Sequence, residues 1–239
     1  MKTPLMRLDE ALKSKGLVSS REKAKALILE GHVKVDGLVI TKPSFQVEDE
    51  VIDVLNEMYV SRSALKLKEA LESWHLDIRG HVILDIGAST GGFTEVALEK
   101  GAAKICALDV GSGQLAETLR TDPRVINLEN IHFLKTRKED FAAFDTTVID
   151  VSFISSLKIL KHAIAILDCR QYLVLFKPQF ESETPQKDHL VKPRKRLELQ
   201  SKWLDEVKKM GFSVLNSIDV TPGKKGNQET MMHLKVKDA

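Results

Sequence analysis

The chain has 239 residues, of which 43% are hydrophobic and 29% charged, and its formal net charge is +2. These proportions are typical of a globular protein and exclude a fibrous or mostly disordered chain. No stretch approaches the roughly 20 consecutive apolar residues of a membrane-spanning helix, and residues 1–13 lack the apolar core of a signal peptide. We therefore expect the protein to act in the cytoplasm.

The cysteines and histidines indicate neither a disulfide framework nor a metal centre. The chain has only two cysteines, Cys106 and Cys169, which is too few for a disulfide framework. They have no metal-ligand spacing with each other or with the scattered histidines. We expect both thiols to pack as small apolar side chains, and we predict no bound metal.

Residues 1–57 carry a set of short signals that predicts a small, separate α+β domain. A short helix is expected to begin at Arg7. Ser19 is followed three positions later by Glu22, which is the pattern of a capping box, so a second helix is predicted to continue to Glu30.

A hairpin is predicted after the second helix. Gly31 suits the left-handed position that follows a helix, and Asp36-Gly37 between alternating apolar residues is a strong signal for a two-residue turn. Basic residues outnumber acidic ones up to Lys42. From charge alone, a solvated helix surface explains these residues as well as RNA binding does.

Three segments of this domain resemble the small RNA-binding domain first described in a ribosomal small-subunit protein: residues 7–12, 20–24 and 28–37. The resemblance implies that basic side chains of the two helices and the hairpin contact structured RNA. Such contacts position a protein on RNA and do not read its sequence. We therefore expect RNA to be bound by Arg7, Lys13, Arg21, Lys23, Lys34 and, beyond the first domain, Arg62.

After a connection over residues 58–60, residues 61–239 alternate between helix and strand signals, which predicts an α/β domain. Helices are expected over 61–74, 93–100 and 194–209. Buried parallel strands are expected over 82–86, 105–109, 147–150 and 172–176. Two further strands, 212–220 and 229–236, are expected to pair antiparallel at the sheet edge.

A glycine-containing turn between the first buried strand and the next helix indicates a cofactor site. Asp85 precedes Gly87 and the pair Gly91-Gly92, and Asp109 ends the following strand, where a carboxylate can accept hydrogen bonds from ribose. NAD and S-adenosylmethionine both fit this pattern. The glycine spacing departs from G-x-G-x-x-G, and Asp85 would repel a pyrophosphate but attract an ammonium group, which favours S-adenosylmethionine. A tight turn without a ligand is the alternative.

The expected cofactor contacts lie in this turn and at the ends of the neighbouring strands. They are Asp85, Gly87, Ser89, Thr90, Gly91, Gly92, Phe93, Asp109, Val110 and Asp150.

Four charged residues are the candidates for catalysis. Asp150 and Lys177 each end an apolar strand, and strand ends are where open α/β sheets hold ligands; Lys66 and Glu229 are expected to join them. Methylation of a hydroxyl oxygen needs a cation that stabilises the developing alkoxide, which Lys177 can supply. The two acids would then hold the ammonium groups, and Lys66 would fix the hydroxyl. A solvated surface position is the alternative for Lys66 and Glu229.

The whole chain resembles the TlyA-type ribosomal RNA methyltransferases, also labelled haemolysins, whose catalytic domain is of the FtsJ type. The resemblance rests on the first domain and on residues 59–67, 85–94, 107–115, 149–155, 176–180 and 226–229. It implies a Rossmann-like class I S-adenosylmethionine methyltransferase domain. It also implies a tetrad of Lys66, Asp150, Lys177 and Glu229, and 2′-O-methylation of cytidine in ribosomal RNA or ribosomal subunits.

Two segments depart from the family pattern. Ser63-Ala64 stands where such sequences often carry glycines, and the stretch after Glu181 is shorter and less glycine-rich. Two other functions stay open at this point: a non-catalytic, RNA-binding ribosome-assembly factor, and a haemolysin that acts on membranes.

Overall fold

A computed structural model describes residues 5–18, 20–29, 31–54, 59–182, 190–222 and 226–237. The chain divides into two compact units, residues 1–58 and 59–239. Two residues of the predicted connection, Tyr59 and Val60, therefore belong to the second unit, where they pack against its core. The backbone N–H of Val60 also donates to the Glu95 carboxylate at 2.6 Å.

The first unit packs two helices against short strands. Its buried apolar side chains come from both helices and from the second and fourth strands, and include Leu8, Leu12, Leu27, Val33 and Val47. Strand β2 pairs antiparallel with β3 and β5, and β1 pairs antiparallel with β4. The elements are β1 (Met6–Arg7), α1 (Leu8–Ser14), α2 (Arg21–Leu29), β2 (Val33–Val35), β3 (Leu38–Val39), β4 (Gln46–Val47) and β5 (Ile52–Val54).

The predicted helices and hairpin of this unit are present. Asp36 and Gly37 both have positive φ, 48° and 79°, as a two-residue hairpin turn requires, so the hairpin is confirmed. At the start of α2, the Ser20 hydroxyl accepts a hydrogen bond from the Lys23 N–H at 3.1 Å. The predicted cap residue, Ser19, and the predicted helix end, Glu30, lie outside the described residues.

The second unit alternates between strands and helices, as predicted. Its elements are α3 (Ser63–Ser73), β6 (Val82–Ile86), α4 (Gly92–Glu99), β7 (Lys104–Leu108), α5 (Glu117–Arg120), β8 (Val125–Leu128), β9 (Thr146–Ile149), α6 (Ser156–Ile166), β10 (Gln171–Phe176), α7 (Pro193–Lys209), β11 (Phe212–Val220) and β12 (Glu229–Val236). The sequence analysis missed α5, β8 and α6. The two shortest of these have four residues each, too few for a clear periodic pattern.

Seven strands form one sheet in the order β11-β12-β10-β9-β6-β7-β8. The pairs from β10 to β8 are parallel, and β12 pairs antiparallel with both β10 and β11. One apolar core contains side chains of α3 and α4, and a second contains side chains of α6 and α7. This mixed sheet between two helical layers confirms the predicted α/β class.

The strand order reverses at β6. The chain continues from β6 to β7 on one side and later places β9 on the other, so the carboxyl ends of β6 and β9 border a crevice of the kind that holds ligands in α/β sheets. The two strand ends are in close contact. A Cβ on Gly87, whose φ is +89°, would lie 2.6 Å from the backbone oxygen of Asp150.

Replacement of Gly87 by alanine is expected to destabilise the second unit. The substitution adds a left-handed backbone cost of about 1–2 kcal/mol and an overpacking cost of about 1–3 kcal/mol against rigid backbone. Gly80→Ala is the matched control, because Gly80 has φ +77° but no atom within 4 Å of its Cβ position. Denaturant midpoints should fall clearly further for Gly87→Ala than for Gly80→Ala. Equal decreases in the midpoint for the two variants would show that the close approach of Gly87 to Asp150 does not contribute to stability.

Candidate active site

A cavity of about 750 Å³ opens at the carboxyl ends of β6, β7 and β9. Its walls come from the loops after these strands, from residues 131–133 and from the start of α6. Five of the ten predicted cofactor residues line it: Gly87, Ser89, Asp109, Val110 and Asp150. The size suits a nucleoside-containing ligand, since small-molecule sites usually span about 300–1,000 Å³.

Asp109 organises the loops around this cavity. One of its carboxylate oxygens accepts a hydrogen bond from the Ser89 N–H at 2.9 Å, and the other accepts from the Gly111 N–H at 2.7 Å. An ionised carboxylate has about four acceptor positions, so two stay open for ligand hydroxyls. Asp109 can therefore shape the cavity and bind a ribose at the same time.

Four of the remaining predicted cofactor residues do not line the cavity. Phe93 is 2% exposed and belongs to an apolar core. Gly91 and Gly92 allow close packing, because a Cβ on either would collide with side chains of α5 or α3. Thr90 is exposed, and its backbone oxygen accepts from the Ala116 N–H at 3.2 Å. Packing therefore accounts for the glycine pair without any ligand.

Asp85 lies fully buried beneath the turn. Its Oδ2 accepts a hydrogen bond from the Thr94 hydroxyl at 2.7 Å, and its Oδ1 has no hydrogen-bond partner among the described residues. The pKa of Asp85 is raised to about 7, chiefly by burial and in smaller part by the nearby Asp150 and Asp109 carboxylates, against the lowering effect of the Thr94 hydrogen bonds. A cation brought close to Oδ1 would stabilise the ionised form.

The four predicted catalytic residues form two buried ion pairs. The Lys66 ammonium lies 2.5 Å from Oε2 of Glu229, and the Lys177 ammonium lies 2.5 Å from Oδ1 of Asp150. Side-chain exposures are between 4% and 13%. None of the four occupies a solvated surface position, and the alternative raised for Lys66 and Glu229 is therefore wrong.

Strand register explains why residues far apart in sequence meet here. Phe176 of β10 pairs with Thr230 of β12, so Lys177 and Glu229 extend from neighbouring strands at one edge. Val174 of β10 pairs with Ile149 of β9, which brings Asp150 to the same edge. Lys66 reaches it from α3.

Two polar residues that the sequence analysis did not single out join the ion pairs. The Lys177 ammonium donates to the Ser152 hydroxyl at 3.1 Å. The Gln179 amide, buried two residues after Lys177, lies 3.5 Å from Oε1 of Glu229. Each of these two residues follows the end of a buried strand by a few positions. That position was the one signal in the sequence that could have identified them as site residues.

Glu181 is a further residue that the sequence analysis missed. Its carboxylate accepts hydrogen bonds from the Ser155 hydroxyl at 2.5 Å, from the Ser156 N–H at 2.8 Å and from the Ser156 hydroxyl at 2.6 Å. Burial raises the pKa of Glu181, and the serine hydrogen bonds oppose that rise. Only the folded chain brings these segments together.

The predicted RNA-binding residues have different environments. In the first unit, Arg7 and Arg21 both donate to the buried Asp9 carboxylate, with N–O distances of 2.9 and 3.1 Å, and Arg21 also pairs with Glu10 at 2.9 Å. The Arg7 hydrogen bonds lower the pKa of Asp9. Each arginine side chain is still more than one third exposed. Lys13 and Lys23 are exposed, Lys34 is half-buried, and Arg62 belongs to the second unit.

The described part of the chain contains no candidate metal site and no candidate membrane-spanning helix. Its His, Cys, Asp and Glu side chains form no group of three or more that could hold a metal ion. None of its helices combines the length and apolar character needed to cross a membrane. The described thiols of Cys106 and Cys169 are both free.

Comparison with protein families gives two matches. The model for FtsJ-like methyltransferases matches residues 59–236, and the model for the S4 domain matches residues 6–52. The two matches fall in the two structural units.

Individual relatives cover most of the chain. Hemolysin A of Brachyspira hyodysenteriae is 39% identical across 95% of this chain and 99% of its own. The 16S/23S rRNA (cytidine-2′-O)-methyltransferase TlyA of Mycobacterium tuberculosis is 43% identical across 73% of this chain and 68% of its own. A solved structure from Streptococcus thermophilus, described as a hemolysin, has a TM-score of 0.74 and 35% identity, with coverage of 99% and 90%.

The stability of the protein should depend on pH through Asp85. Its folded pKa of about 7 lies above the ordinary aspartate value of 3.8, so the folded state holds an extra proton between about pH 4 and pH 7. The free energy of unfolding should therefore fall as pH rises through this range. Asp85→Asn keeps an acceptor for Thr94 and removes the charge, so it should be more stable than the wild type at pH 8.

Thermal unfolding at pH 5 and pH 8 measures this difference. Asp168→Asn, at an exposed acid, is the control and should behave like the wild type. A difference between Asp85→Asn and the wild type that stays constant across pH would contradict a proton on Asp85.

Proposed function

Because the chain belongs to the FtsJ-like methyltransferase family, we propose that it transfers a methyl group from S-adenosylmethionine to a ribose 2′-hydroxyl, that of a cytidine, in ribosomal RNA. One observation carries the proposal: the buried ion pair of Lys177 and Asp150 lies at the edge of a cavity of nucleoside size. The M. tuberculosis relative is named for this reaction. Ribosomal RNA or a ribosomal subunit is the proposed substrate, and the cytoplasm the proposed place of action.

The cavity and its surroundings suit S-adenosylmethionine. Asp109 has open acceptor positions for ribose hydroxyls. The unpartnered, buried Oδ1 of Asp85 suits the ammonium group of the amino-acid end, either directly or through water. The predicted contacts Gly87, Ser89, Val110 and Asp150 are retained in this proposal. We propose that four other predicted contacts shape the turn by packing and do not touch the cofactor, because none of them lines the cavity: Thr90, Gly91, Gly92 and Phe93.

The ion pairs provide the chemistry that oxygen methylation needs. S-adenosylmethionine, when bound, supplies an electrophilic methyl group on a sulfonium. As the 2′-oxygen gains the methyl group, the carbon–sulfur bond would break to leave a neutral thioether, and the hydroxyl proton would pass to water in the open cavity. The Lys177 ammonium would stabilise the negative charge that develops on the oxygen. Asp150 holds the ammonium in place at 2.5 Å. Because the site is largely shielded from water, this charge stabilisation is stronger than it would be in solution.

Lys66 and Glu229 form the second half of the site. Their contact at 2.5 Å keeps the Lys66 ammonium at the catalytic edge, where it can orient the ribose hydroxyl. An isolated buried cation would be costly, and the contact with Glu229 offsets part of that cost.

For the first unit we propose RNA binding. The exposed Lys13 and Lys23, together with Lys34, offer cations to phosphates. Arg7 and Arg21 keep donors beyond those used for Asp9, so they can contribute as well. We retain the proposed division into an RNA-binding domain and a catalytic domain, with Arg62 as an RNA contact of the second.

Loss of the Lys177 ammonium should abolish most methyl transfer. Lys177→Ala, Asp150→Asn and Lys66→Ala should each lower kcat by about 100-fold or more, because each removes or misplaces charge stabilisation in a shielded site. Transfer of labelled methyl groups from S-adenosylmethionine into unmodified ribosomal subunits measures this. Lys104→Ala, at an exposed lysine where β7 begins, is the charge-matched control. Wild-type rates in all three variants would refute the assignment of these residues.

Cofactor binding separates an enzyme from a non-catalytic RNA-binding protein. The wild type should bind S-adenosylmethionine in calorimetry, and Asp109→Ala should bind it about tenfold more weakly, because ribose hydrogen bonds to a charged group are lost. Asp122→Ala, which removes an exposed pair with Arg124, should leave the affinity unchanged. If the wild type does not bind S-adenosylmethionine, a non-catalytic RNA-binding function is favoured.

A further inference from the structure

Two segments meet at the catalytic ion pair and are also joined some distance from it. We call residues 150–155 the Asp150 segment and residues 177–181 the Lys177 segment. They touch through the Lys177 ion pair and its hydrogen bond to Ser152. Further along, the rings of Phe153 and Phe180 pack with centroids 5.3 Å apart. At the far end, Glu181 bonds to Ser155 and Ser156.

The Glu181 contact is fixed to the protein core. The Ser156 hydroxyl donates to Glu181 and accepts a hydrogen bond from the indole N–H of Trp203 at 2.9 Å. Trp203 is 1% exposed and belongs to the apolar core that contains α6 and α7. The orientation of the Ser156 hydroxyl is therefore set, and the carboxylate has a fixed partner.

Capping of α6 alone does not require Glu181. The Ser155 hydroxyl already accepts a hydrogen bond from the Leu157 N–H at 3.2 Å and serves as the N-cap. The Glu181 carboxylate adds a negative charge at the positive end of the helix and accepts three hydrogen bonds there. What it adds beyond the cap is a connection between the two segments.

We propose that Glu181 is a positioning residue for methyl transfer, which rests on the function proposed above. It holds the Lys177 segment against the start of α6, so that the Lys177 ammonium stays beside Asp150 and faces the ribose oxygen. Without it, the described contacts that remain between the two segments are those near the ion pair: the ring contact of Phe153 and Phe180, the hydrogen bond from Lys177 to Ser152, and the ion pair that Glu181 should position. Misplacement of a catalytic group by about 1 Å can cost about 100-fold in rate.

The test compares three variants in the full-length protein. Glu181→Ala should lower kcat by about 10- to 100-fold, while KM for ribosomal subunits and the affinity for S-adenosylmethionine stay within about twofold. Glu181→Gln should recover most of kcat, because its amide can accept from the Ser156 N–H and donate to Ser155. Glu198→Ala, at a glutamate that pairs with the exposed Lys195 and Lys202, should match the wild type.

Hydrogen exchange provides a readout that does not depend on activity. The Ser156 amide and peptides covering the two segments should exchange faster in Glu181→Ala than in the wild type, and Glu181→Gln should restore protection. If Glu181→Ala does not fold, Ser155→Ala removes one of the three hydrogen bonds and should give a smaller loss of kcat. Unchanged kcat and unchanged exchange in Glu181→Ala would overturn the proposal, as would a glutamine variant as slow as the alanine variant with normal exchange.

The outcomes also separate this proposal from the proposed function. If the wild type transfers no methyl group to ribosomal RNA, the proposed function fails, and hydrogen exchange still decides whether Glu181 fixes the two segments. If the wild type is active and Glu181→Ala is equally active, only the positioning role fails.

Discussion

The rest of the site depends on a buried ion pair between Lys177 and Asp150. Removing both charges from water is costly, and their attraction repays that cost only with close geometry and further hydrogen bonds. The structure supplies a short ionic contact of 2.5 Å between the ammonium and Oδ1 of Asp150, although that contact lacks hydrogen-bond geometry, and it supplies one hydrogen bond, from the ammonium to Ser152. A pair of this kind is weak evidence for stability. Its retention at the mouth of a cavity is better explained by chemistry that needs a fixed cation.

The second constraint is the close approach of strand ends at the switch point. Gly87 has no Cβ, and so the loop after β6 can lie against the backbone of Asp150. Asp85 lies buried beneath the same turn, where burial raises the pKa of its carboxyl to about 7. Asp85 is thus a buried acid, and a cation close to it would favour its ionised form. The close packing of Gly91 and Gly92 against neighbouring side chains fixes the turn that covers it.

The names of the relatives differ, between hemolysin and RNA methyltransferase. The chemistry of this chain favours the second. Two buried lysine–carboxylate pairs, one of which contributes Asp150 to the wall of a cavity of nucleoside size, are suited to charge stabilisation during group transfer. The first unit adds a match to the S4 domain and a buried Asp9 that orients two arginines, which fits a surface for phosphates.

The sequence alone determined the fold class and the hairpin at Asp36-Gly37, and it singled out Asp150 and Lys177, because each depends on local periodicity, turn chemistry or a charge that ends an apolar strand. Lys66 and Glu229 were expected to join them chiefly from the family resemblance. The sequence did not determine which lysine forms an ion pair with which carboxylate, since that depends on the register between strands β9, β10 and β12. It also assigned Phe93 and the glycine pair to a cofactor, and that assignment stays a prediction, while their packing against α3 and α5 follows only from the tertiary structure. Glu181 and Gln179 escaped notice for the same reason: their partners are distant in sequence, and only the folded chain brings them within hydrogen-bond distance.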